Sequence, residues 1–305
     1  MPRSPLPQRH GLDAAWVRTP RETTWATMRE HLVERLPRLT PARIDEMLGD
    51  GAFVDDSGRP LAADESYRPH AIVWFHRDLR DEAEVPFPLD VLHQDERVVV
   101  VDKPHFLATI PRGRHVRQSV VVRARNMLGL PELSPAHRLD RVTAGVLLLT
   151  TERRWRRAYQ TMFEERVPRK EYEAVAAAPG DLELPAHVRS HITKQHGVMQ
   201  AFEHDDRAPN AHTLVELIEE RGGLARYRAT PFTGKTHQIR LHMNRLGRPI
   251  VGDPLYPLVD DVDVDDFSAP LQLLARTLRF VDPVDGAERE FTSPRALEAF
   301  PPSDR

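Results

Sequence analysis

The 305-residue sequence has no cysteine, and only four of its 43 basic side chains are lysines. The absence of cysteine excludes disulfide bonds, thiolate metal sites and a cysteine nucleophile, and it leaves the redox compartment open. Arginine in place of lysine is typical of a GC-rich coding genome, although the planar guanidinium also suits contacts with phosphate. No apolar run approaches the ~20 residues that cross a bilayer, and the first residues lack the apolar core of a signal peptide. We therefore expect a cytoplasmic protein without a membrane partner.

The sequence also lacks a positive net charge, since its formal net charge is -3 at pH 7. Binding to nucleic acid would therefore depend on a local basic patch. Residues 137–170 contain nine basic and four acidic side chains, and Thr151 can cap a helix there that runs to about Glu165. On this helix Arg153 and Arg157 lie one turn apart, outside the apolar face. A charged face is also typical of plain solvation, so both interpretations stay open.

The order of the sequence patterns predicts a tail, a small module, a linker and a larger domain. Residues 1–20 show no periodicity and predict a loose N-terminal tail. Residues 21–80 predict two short helices, the second capped by Thr40 with Pro41 at its first position, followed by short strands. Residues 81–88 are acidic and contain proline, which predicts a linker. Residues 89–305 are long enough for a second domain with its own core. Within it, residues 214–218 and 224–229 predict paired antiparallel strands joined at Gly222 and Gly223.

A candidate catalytic carboxylate lies just before a predicted core strand. Asp140 stands between Arg138 and Arg141, and the apolar residues 146–149 follow a Thr-Ala-Gly turn. The backbone would hold such a carboxylate rigidly, and the turn would leave it exposed to a substrate. The two arginines would keep it ionised, because nearby positive charge lowers a carboxyl pKa. Taken alone, Arg-Leu-Asp-Arg is equally typical of a surface salt-bridge cluster.

The surrounding residues make this stretch more specific. The order His-Arg-Leu-Asp-Arg-x-Thr-x-Gly at residues 137–145 resembles the catalytic motif of the RluA-type family of RNA pseudouridine synthases. The resemblance maps the essential aspartate of the family onto Asp140. Ala144 departs from the family, in which a serine is frequent at that position. The segment Val-Val-Asp-Lys-Pro-His-Phe-Leu-Ala-Thr-Ile-Pro at residues 100–111 is similar to the first motif of the family, and we interpret Lys103 as structural support near the site.

Two further motifs follow in the family's order. Lys-x-Tyr-x-Ala at residues 170–174 resembles the second motif, whose active-site tyrosine maps onto Tyr172. Gly-Lys-Thr-His-Gln-Ile-Arg at residues 234–240 resembles the third motif, with Lys235 replacing an arginine. Thr236 can cap a helix that ends at Gly247. Carried over, Arg240 pairs with Asp140, and Lys235 and His237 belong to the RNA-binding residues. The segment Gly-Asp-Pro-Leu-Tyr at residues 252–256 continues the family pattern without an assigned role.

The resemblance implies an α+β fold, in which a large mixed, mainly antiparallel sheet forms the catalytic domain and residues 21–80 form a small S4-like module. That module would either bind RNA or serve only the structure. The implied reaction isomerises uridine to pseudouridine in ribosomal or transfer RNA, by a monomer without metal or cofactor. Asp140 would act as a nucleophile or as a base. Tyr172 would contact the uracil, and Arg138 and Arg141 would hold phosphates or fill the space left by an extruded uridine.

Two other functions remain open at this stage. One is a non-catalytic RNA-binding protein with the same fold, against which the complete set of Asp140, Tyr172 and Arg240 argues. The other is a hydrolase of another glycosidic bond, which would need a second, paired carboxylate that no motif supplies. A metal site has little support, because the histidines at 191, 196 and 204 lack a regular spacing. His237 and His242 would lie about 140° apart on a helix.

Overall fold

The computed structural model describes residues 3–22 and 24–301, and the chain divides into two compact units, residues 1–81 and residues 82–305. Met1, Pro2, Thr23 and residues 302–305 lie outside the described residues, together with the parts of the predicted tail, module and catalytic domain that fall on them. Within the described ranges, every helix is too short or too polar to span a bilayer.

The first unit contains the two helices that the sequence predicts. The elements of this unit, in chain order, are β1 (Ala15–Arg18), α1 (Met28–Arg35), α2 (Pro41–Gly49) and β2 (Ile72–Phe75). Thr40 caps α2 as expected, since its hydroxyl accepts a hydrogen bond from the Arg43 backbone N–H at 3.2 Å. Both helices bury apolar residues such as Leu32 and Ile44 in a core that belongs to this unit. The prediction of two helices is thus confirmed.

The predicted loose tail is wrong for residues 15–18. They form β1, which pairs antiparallel with β2 over four residues, from Ala15 opposite Phe75 to Arg18 opposite Ile72. Ala15 and Val17 are buried while Trp16 and Arg18 face outward, which is the alternation of a strand with one buried face. Four residues are too few for this period to stand out in the sequence, and the strand depends on a partner more than fifty residues away.

The second unit is built on one large sheet with three helices. Its elements are β3 (Asp90–Gln94), β4 (Val98–Lys103), α3 (Val120–Leu128), β5 (Ser134–Pro135), β6 (Ala144–Thr150), α4 (Arg153–Glu164), β7 (Arg169–Ala177), β8 (Ala186–Thr193), β9 (Phe202–His204), β10 (Ala211–Arg221), β11 (Leu224–Pro231), α5 (Gln238–Arg245), β12 (Leu273–Val281) and β13 (Glu288–Thr292).

The sheet confirms the predicted mixed, mainly antiparallel α+β class. Its strand order is β3-β4-β6-β12-β7-β11-β10-β8-β9, with β13 beside β12 and β5 beside β6. Only β6 and β12 run parallel among the described strands. β4 and β6 are buried along their whole length, as their continuous apolar runs predict. β10 and β11 form the predicted hairpin, in which Gly222 and Gly223 both have a positive φ, of 63° and 79°.

The predicted linker at residues 81–88 is also wrong, because residues from 82 on belong to the second unit. Val85 is buried in the core of that unit, and the Arg123 guanidinium donates to the carbonyls of Val85 and Phe87 at 2.7 and 3.0 Å. The Glu82 carboxylate accepts hydrogen bonds from the backbone N–H groups of residues 116–118. Acidic and apolar residues of this segment therefore attach it to the second unit, where the sequence had predicted a linker.

Gly145 fixes the place where the candidate motif enters the sheet. It lies at the start of β6 with φ +112°, opposite Ala275 of the parallel strand β12. A Cβ atom at this position would lie 2.2 Å from the carbonyl oxygen of Ala275. Only glycine therefore allows both this backbone conformation and the close approach of the two strands. The loop that carries Asp140 is fixed to the sheet at this point.

Candidate active site

The loop that carries Asp140 is held by the segment that follows β4. Three positions on either side of Asp140 accept side-chain hydrogen bonds through their backbone carbonyls. The Thr109 hydroxyl donates to Leu139 at 2.7 Å, and the Lys103 ammonium donates to Arg141 at 3.0 Å. The Nδ1–H of His105 donates to the carbonyl of Val142 at 2.8 Å. The backbone on both sides of Asp140 is therefore fixed, which is what a reactive side chain in a loop requires.

Lys103 has the structural role that the sequence predicts. Its buried Nζ donates to the carbonyls of Pro104, Leu107 and Arg141 at 3.0, 2.8 and 3.0 Å. Burial lowers the pKa of Lys103 well below its ordinary value, while the negative charge of Asp140 acts to raise it. Three carbonyl acceptors match the three N–H groups of an ammonium, so we assign the charged form.

The Asp140 carboxylate is left open toward a substrate. Its side chain is 32% exposed, and the Arg240 guanidinium (Nη1) and the His237 ring (Nε2) each lie 3.8 Å from its Oδ2. Both distances are longer than a hydrogen bond, and within the described residues the carboxylate accepts none. Its acceptor positions are thus unused by the described residues.

Arg240 makes its strong contact with a residue that the sequence did not assign. Its Nε and Nη2 donate to the Asp253 carboxylate at 2.8 and 2.5 Å, in a bidentate arrangement where both side chains are almost fully buried. Burial opposes the charge of Arg240, but the hydrogen bonds and charge of Asp253, with Asp140, raise its pKa from the ordinary value. Arg240 also forms the predicted ion pair with Asp140, at the longer distance of 3.8 Å between Nη1 and Oδ2. Asp253 orients the guanidinium, because it binds Nε and Nη2 and leaves Nη1 to face Asp140.

Tyr172 lies on β7, where it packs against both of the large apolar clusters of the catalytic unit. Burial raises the pKa of the Tyr172 hydroxyl, and the negative charge of Asp140 raises it further. The phenol therefore keeps its proton at neutral pH, and it can donate a hydrogen bond in the vicinity of Asp140.

The remaining predicted residues fall into two groups. Arg138 and Lys235 are exposed, and so are Arg153 and Arg157 on α4. Arg141, by contrast, is occupied, because it donates to the carbonyl of Val264 at 2.6 Å and lies over the ring of Phe106. The sequence predicted that Arg138 and Arg141 would keep Asp140 ionised, but within the described residues neither pairs with its carboxylate.

Both predicted helix caps beside the site are wrong. Thr151 donates its hydroxyl to the carbonyl of Glu96 at 2.6 Å, and Glu152 is the first cap residue of α4. At α5 the cap residue is His237, with φ 58° and ψ 18°, and Thr236 lies before it. In both cases the threonine lies one residue before the observed cap residue, so the local spacing alone did not determine where the helix begins.

Sequence reasoning missed Asp253, Tyr256 and Thr109 as residues of the site. The first two lie in the segment at residues 252–256 that continues the family pattern, so a signal was present without a role. Thr109 lies in the segment that resembles the first motif, but nothing there pointed to its contact with Leu139, which joins two distant loops. Two of the histidines considered for a metal have protein partners: His191 Nδ1 donates to the carbonyl of Ala208 at 2.7 Å, and His204 Nε2 contacts the Thr193 hydroxyl at 2.8 Å.

Comparison with known proteins identifies the family. Residues 97–245 match the family model described as RNA pseudouridylate synthase. The chain is 32% identical over 223 residues to the dual-specificity RNA pseudouridine synthase RluA of Pasteurella multocida (strain Pm70), covering 68% of this chain and 94% of that protein. It is 31% identical over 219 residues to the enzyme of the same name from Haemophilus influenzae, covering 67% and 92%.

The fold agrees with this identification. Among solved structures, human RNA Pseudouridylate Synthase Domain Containing 1 is similar with a TM-score of 0.56 at 21% identity, over 71% of this chain and 86% of that chain. Its match supports the fold, while the sequence matches carry the activity. The chain belongs to the RluA-type family of RNA pseudouridine synthases, enzymes that isomerise uridine in RNA to pseudouridine.

Proposed function

We propose that Asp140 is the catalytic carboxylate of this isomerase and that Arg240 and Tyr172 complete the reacting centre. The observation that carries the proposal is the state of Asp140: its backbone is fixed, and its carboxylate is open and lies 3.8 Å from Arg240. The reaction needs a carboxylate in this state, because the uracil must be detached from C1′, turned, and rejoined through C5. Asp140 starts this sequence either as a nucleophile or as a base.

The other two residues have roles that follow from their surroundings. Arg240 orients the Asp140 carboxylate, because Asp253 holds its Nη1 toward that carboxylate. Tyr172 contacts the extruded base and donates a hydrogen bond, since its raised pKa disfavours the phenolate. A direct role of Tyr172 in removing the C5 proton would require that its own proton leave at the same time.

The substitution Asp140→Asn tests the assignment. The amide keeps the shape of the side chain but removes both the charge and the nucleophile. We expect the single-turnover rate of pseudouridine formation to fall by at least about 10² to 10⁴-fold, the usual range for loss of an essential acid–base group. RNA affinity and the circular dichroism spectrum should stay close to those of the parent. A variant that retains more than a few per cent of the parent rate would show that another residue is essential.

We propose that the reaction needs neither metal nor cofactor. Uridine and pseudouridine contain the same atoms, and no electrons are gained or lost, so the chemistry can be completed by protein side chains. Activity should survive exhaustive dialysis against a metal chelator. Loss of activity that added zinc restores would contradict this.

We further propose a monomeric, cytoplasmic enzyme that acts on ribosomal or transfer RNA. The exposed cations Arg138, Arg153, Arg157 and Lys235 would bind phosphates, and residues 21–80 would form the S4-like module. The charge of that module argues for a limited contribution to RNA binding, since Arg43 on α2 is paired with Asp78 and Glu46 at 2.7 and 2.9 Å. Mapping pseudouridines in cellular RNA with and without the gene identifies the substrate. Light scattering measures the oligomeric state.

A further inference from the structure

Lys170 carries a partly buried ammonium group without a partner in the protein. It lies on β7, two residues before Tyr172, and among residues 3–22 and 24–301 its side chain forms no hydrogen bond or ion pair. Lys103, by contrast, donates to three backbone carbonyls. Removing a charge from water is unfavourable unless a partner replaces the water. The unused donors of Lys170 therefore indicate a partner outside the protein.

A second cation without a partner, Arg166, lies near Lys170. Burial lowers the pKa of Lys170 from its ordinary value, the charge of Arg166 lowers it further, and no carboxylate of the described residues offsets this repulsion. Arg166 follows α4 in the left-handed region, with φ 60°, which is strained for a residue with a side chain. Its side chain is exposed and likewise forms no hydrogen bond or ion pair within the described ranges. An anion between these two cations would stabilise both charges.

Lys170 lies near both of the loops that carry the candidate active site. Burial and the charge of Lys170 both lower the pKa of His137, which begins the motif of Asp140. In addition, a Cβ atom at Gly234 of the third motif would lie 3.8 Å from Lys170 Nζ. Gly234 and the two residues after it are exposed. The ammonium therefore lies at an open edge of the site, beside a residue without a side chain.

The position of Lys170 on β7 suits a group next to the reacting base. Lys170 and Tyr172 point to the same face of the strand, because side chains alternate, and they are about 6.6 Å apart along it. Besides burial, the negative charge of Asp140 raises the pKa of Tyr172, whereas it does not act on that of Lys170. Lys170 is thus too distant to support Asp140. It is close enough to Tyr172 to reach the RNA strand on either side of an extruded base.

We propose that Lys170 and Arg166 together bind one phosphate of the RNA backbone, within two linkages of the target uridine. The inference rests on the proposed reacting centre, in which the uracil contacts Tyr172. A phosphate diester carries a negative charge and two unesterified oxygens, so it can accept hydrogen bonds from both cations at once. The ammonium serves as a point charge, and the planar guanidinium can bind an edge of the phosphate. The uracil base is uncharged before the reaction and would leave the repulsion between the cations in place.

The substitution Lys170→Met tests this site, with Arg169→Met as its matched control. Arg169 is the exposed neighbour on β7, and its side chain points to the opposite face of the strand. Both variants lose one positive charge and gain the same side chain. The probe is a stem-loop RNA that contains the uridine identified by mapping pseudouridines in cellular RNA. It is used in its product form, with pseudouridine at the target position, so that no reaction occurs during the binding measurement.

The two variants should differ in affinity and in salt dependence. For Lys170→Met we expect the affinity to fall roughly 10 to 100-fold, the usual worth of a hydrogen bond to a charged group. The slope of log affinity against log salt should flatten by about 0.7–0.9 units, because one phosphate contact is lost. For Arg169→Met both quantities should stay close to those of the parent. Lys170→Gln is a second neutral variant, and it should show the same losses as Lys170→Met.

The stability of Lys170→Met distinguishes a binding role from a structural one. A partly buried cation that has no partner and is repelled by Arg166 does not stabilise the fold. Its removal should therefore leave the midpoint of urea denaturation unchanged or raise it. A lower midpoint would mean that Lys170 supports the structure, and it would contradict the proposal.

Neutral phosphate analogues identify the contact. Each of the two linkages on either side of the target is replaced in turn by a methylphosphonate, which lacks the negative charge. All strands carry 2′-methoxy groups at these positions, because a free 2′-hydroxyl would cleave the neutral linkage. In the parent, one replacement should cost roughly 10 to 100-fold in affinity. In Lys170→Met the same replacement should cost about threefold or less. Arg166→Asn tolerates the left-handed backbone and should lose its sensitivity at the same linkage.

Three further results would overturn the inference. The first is an affinity and a salt slope of Lys170→Met equal to those of Arg169→Met. The second is a pattern of methylphosphonate effects in which Lys170→Met is as sensitive as the parent at every linkage, or in which Lys170 and Arg166 depend on different linkages. The third is a lower rate at saturating RNA with unaltered affinity, which would mean that Lys170 acts on the uracil during the reaction. Failure of the proposed reacting centre would appear differently, as full activity of Asp140→Asn on the uridine strand.

Discussion

Asp140 and Asp253 both lie near Arg240, yet they differ in what they contribute to the molecule. The side chain of Asp253 is 1% exposed and accepts hydrogen bonds from both Nε and Nη2 of Arg240. The side chain of Asp140 is 32% exposed and accepts no hydrogen bond from the described residues. Asp253 also accepts from the backbone N–H groups of Leu255 and Tyr256. At the residue scale, the carboxylate that stabilises the fold is thus separate from the carboxylate proposed to react.

This separation predicts opposite effects of two asparagine variants. Asp253→Asn should lower the free energy of unfolding by on the order of 3–5 kcal/mol, because it leaves the buried Arg240 charge without its partner. Asp140→Asn should change it by less than about 1 kcal/mol, the usual size for an exposed site without special contacts. Urea denaturation at pH 7 measures both. Equal losses in the two variants would mean that Arg240 depends on Asp140 as much as on Asp253.

The sequence supplied the identity of the site residues but not their partners. Asp140, Tyr172 and Arg240 stand in motifs, and the structure places Arg240 and His237 each 3.8 Å from the Asp140 carboxylate. The partner of Arg240 could not be predicted, because both aspartates are chemically suitable and only the path of the chain after α5 decides between them. The contact of Thr109 with Leu139 is of the same kind, since neither residue has a pattern that points to the other.

At the scale of elements, local periodicity predicted what is stabilised locally. α1, α2 and the β10–β11 hairpin each have caps or turn residues within a few positions, and all three are where the sequence indicates. β1 and residues 82–88 were mispredicted, because distant residues stabilise them: β2 in the first case and Arg123 in the second. Segments without a local signal were therefore read as flexible when their order comes from tertiary contacts.

Helix α4 offers a test of where RNA binds. Arg153 and Arg157 are exposed on this helix, while Tyr159 and Met162 hold it against the sheet. If the exposed face meets the RNA backbone, the double variant Arg153→Ala, Arg157→Ala should lose one or two phosphate contacts. The slope of log affinity against log salt should then flatten by roughly 1–2 units, at about 0.7–0.9 per contact. The rate at saturating RNA should barely change.

A matched control separates local contact from total charge. Arg228 and Arg279 are also half-exposed, but each is paired with carboxylates, Arg279 with Glu290 at 2.8 Å. Replacing both by alanine changes the net charge by the same amount and should leave the salt slope unchanged. If the α4 variant behaves like this control, the exposed face of α4 is merely solvated. The loop that carries Arg112, Arg114 and Arg117 then becomes the better candidate for binding the RNA backbone.

At the scale of the whole molecule, three neutral histidines form hydrogen bonds between the loops, strands and helix that surround the site. His105 donates to the loop of Asp140, and His137 Nε2 accepts from the backbone N–H of Leu148 on β6 at 3.2 Å. His242 joins α5 to β8 and β10 through Ser190 and Thr213 at 3.0 and 2.8 Å. Burial lowers their pKa values to about 4 for His105, about 3 for His137 and about 4 for His242. The folded protein therefore keeps all three uncharged where an unfolded chain would protonate them.

This difference predicts a loss of stability in mild acid. Below the unfolded value near 6.5 the unfolded chain binds protons that the folded chain does not, so the free energy of unfolding falls as the pH falls toward 4. The slope approaches about 1.4 kcal/mol per pH unit for each histidine, and urea denaturation between pH 7.5 and 5 measures it while the carboxylates stay ionised. His137→Gln keeps an acceptor for Leu148 without titrating, so it should reduce the slope by up to about 1.4 kcal/mol per pH unit. The exposed variant His196→Asn should leave the slope unaltered. A parent slope near zero, or one that His137→Gln does not reduce, would mean that these histidines are protonated inside the fold, where His137 could no longer accept from β6.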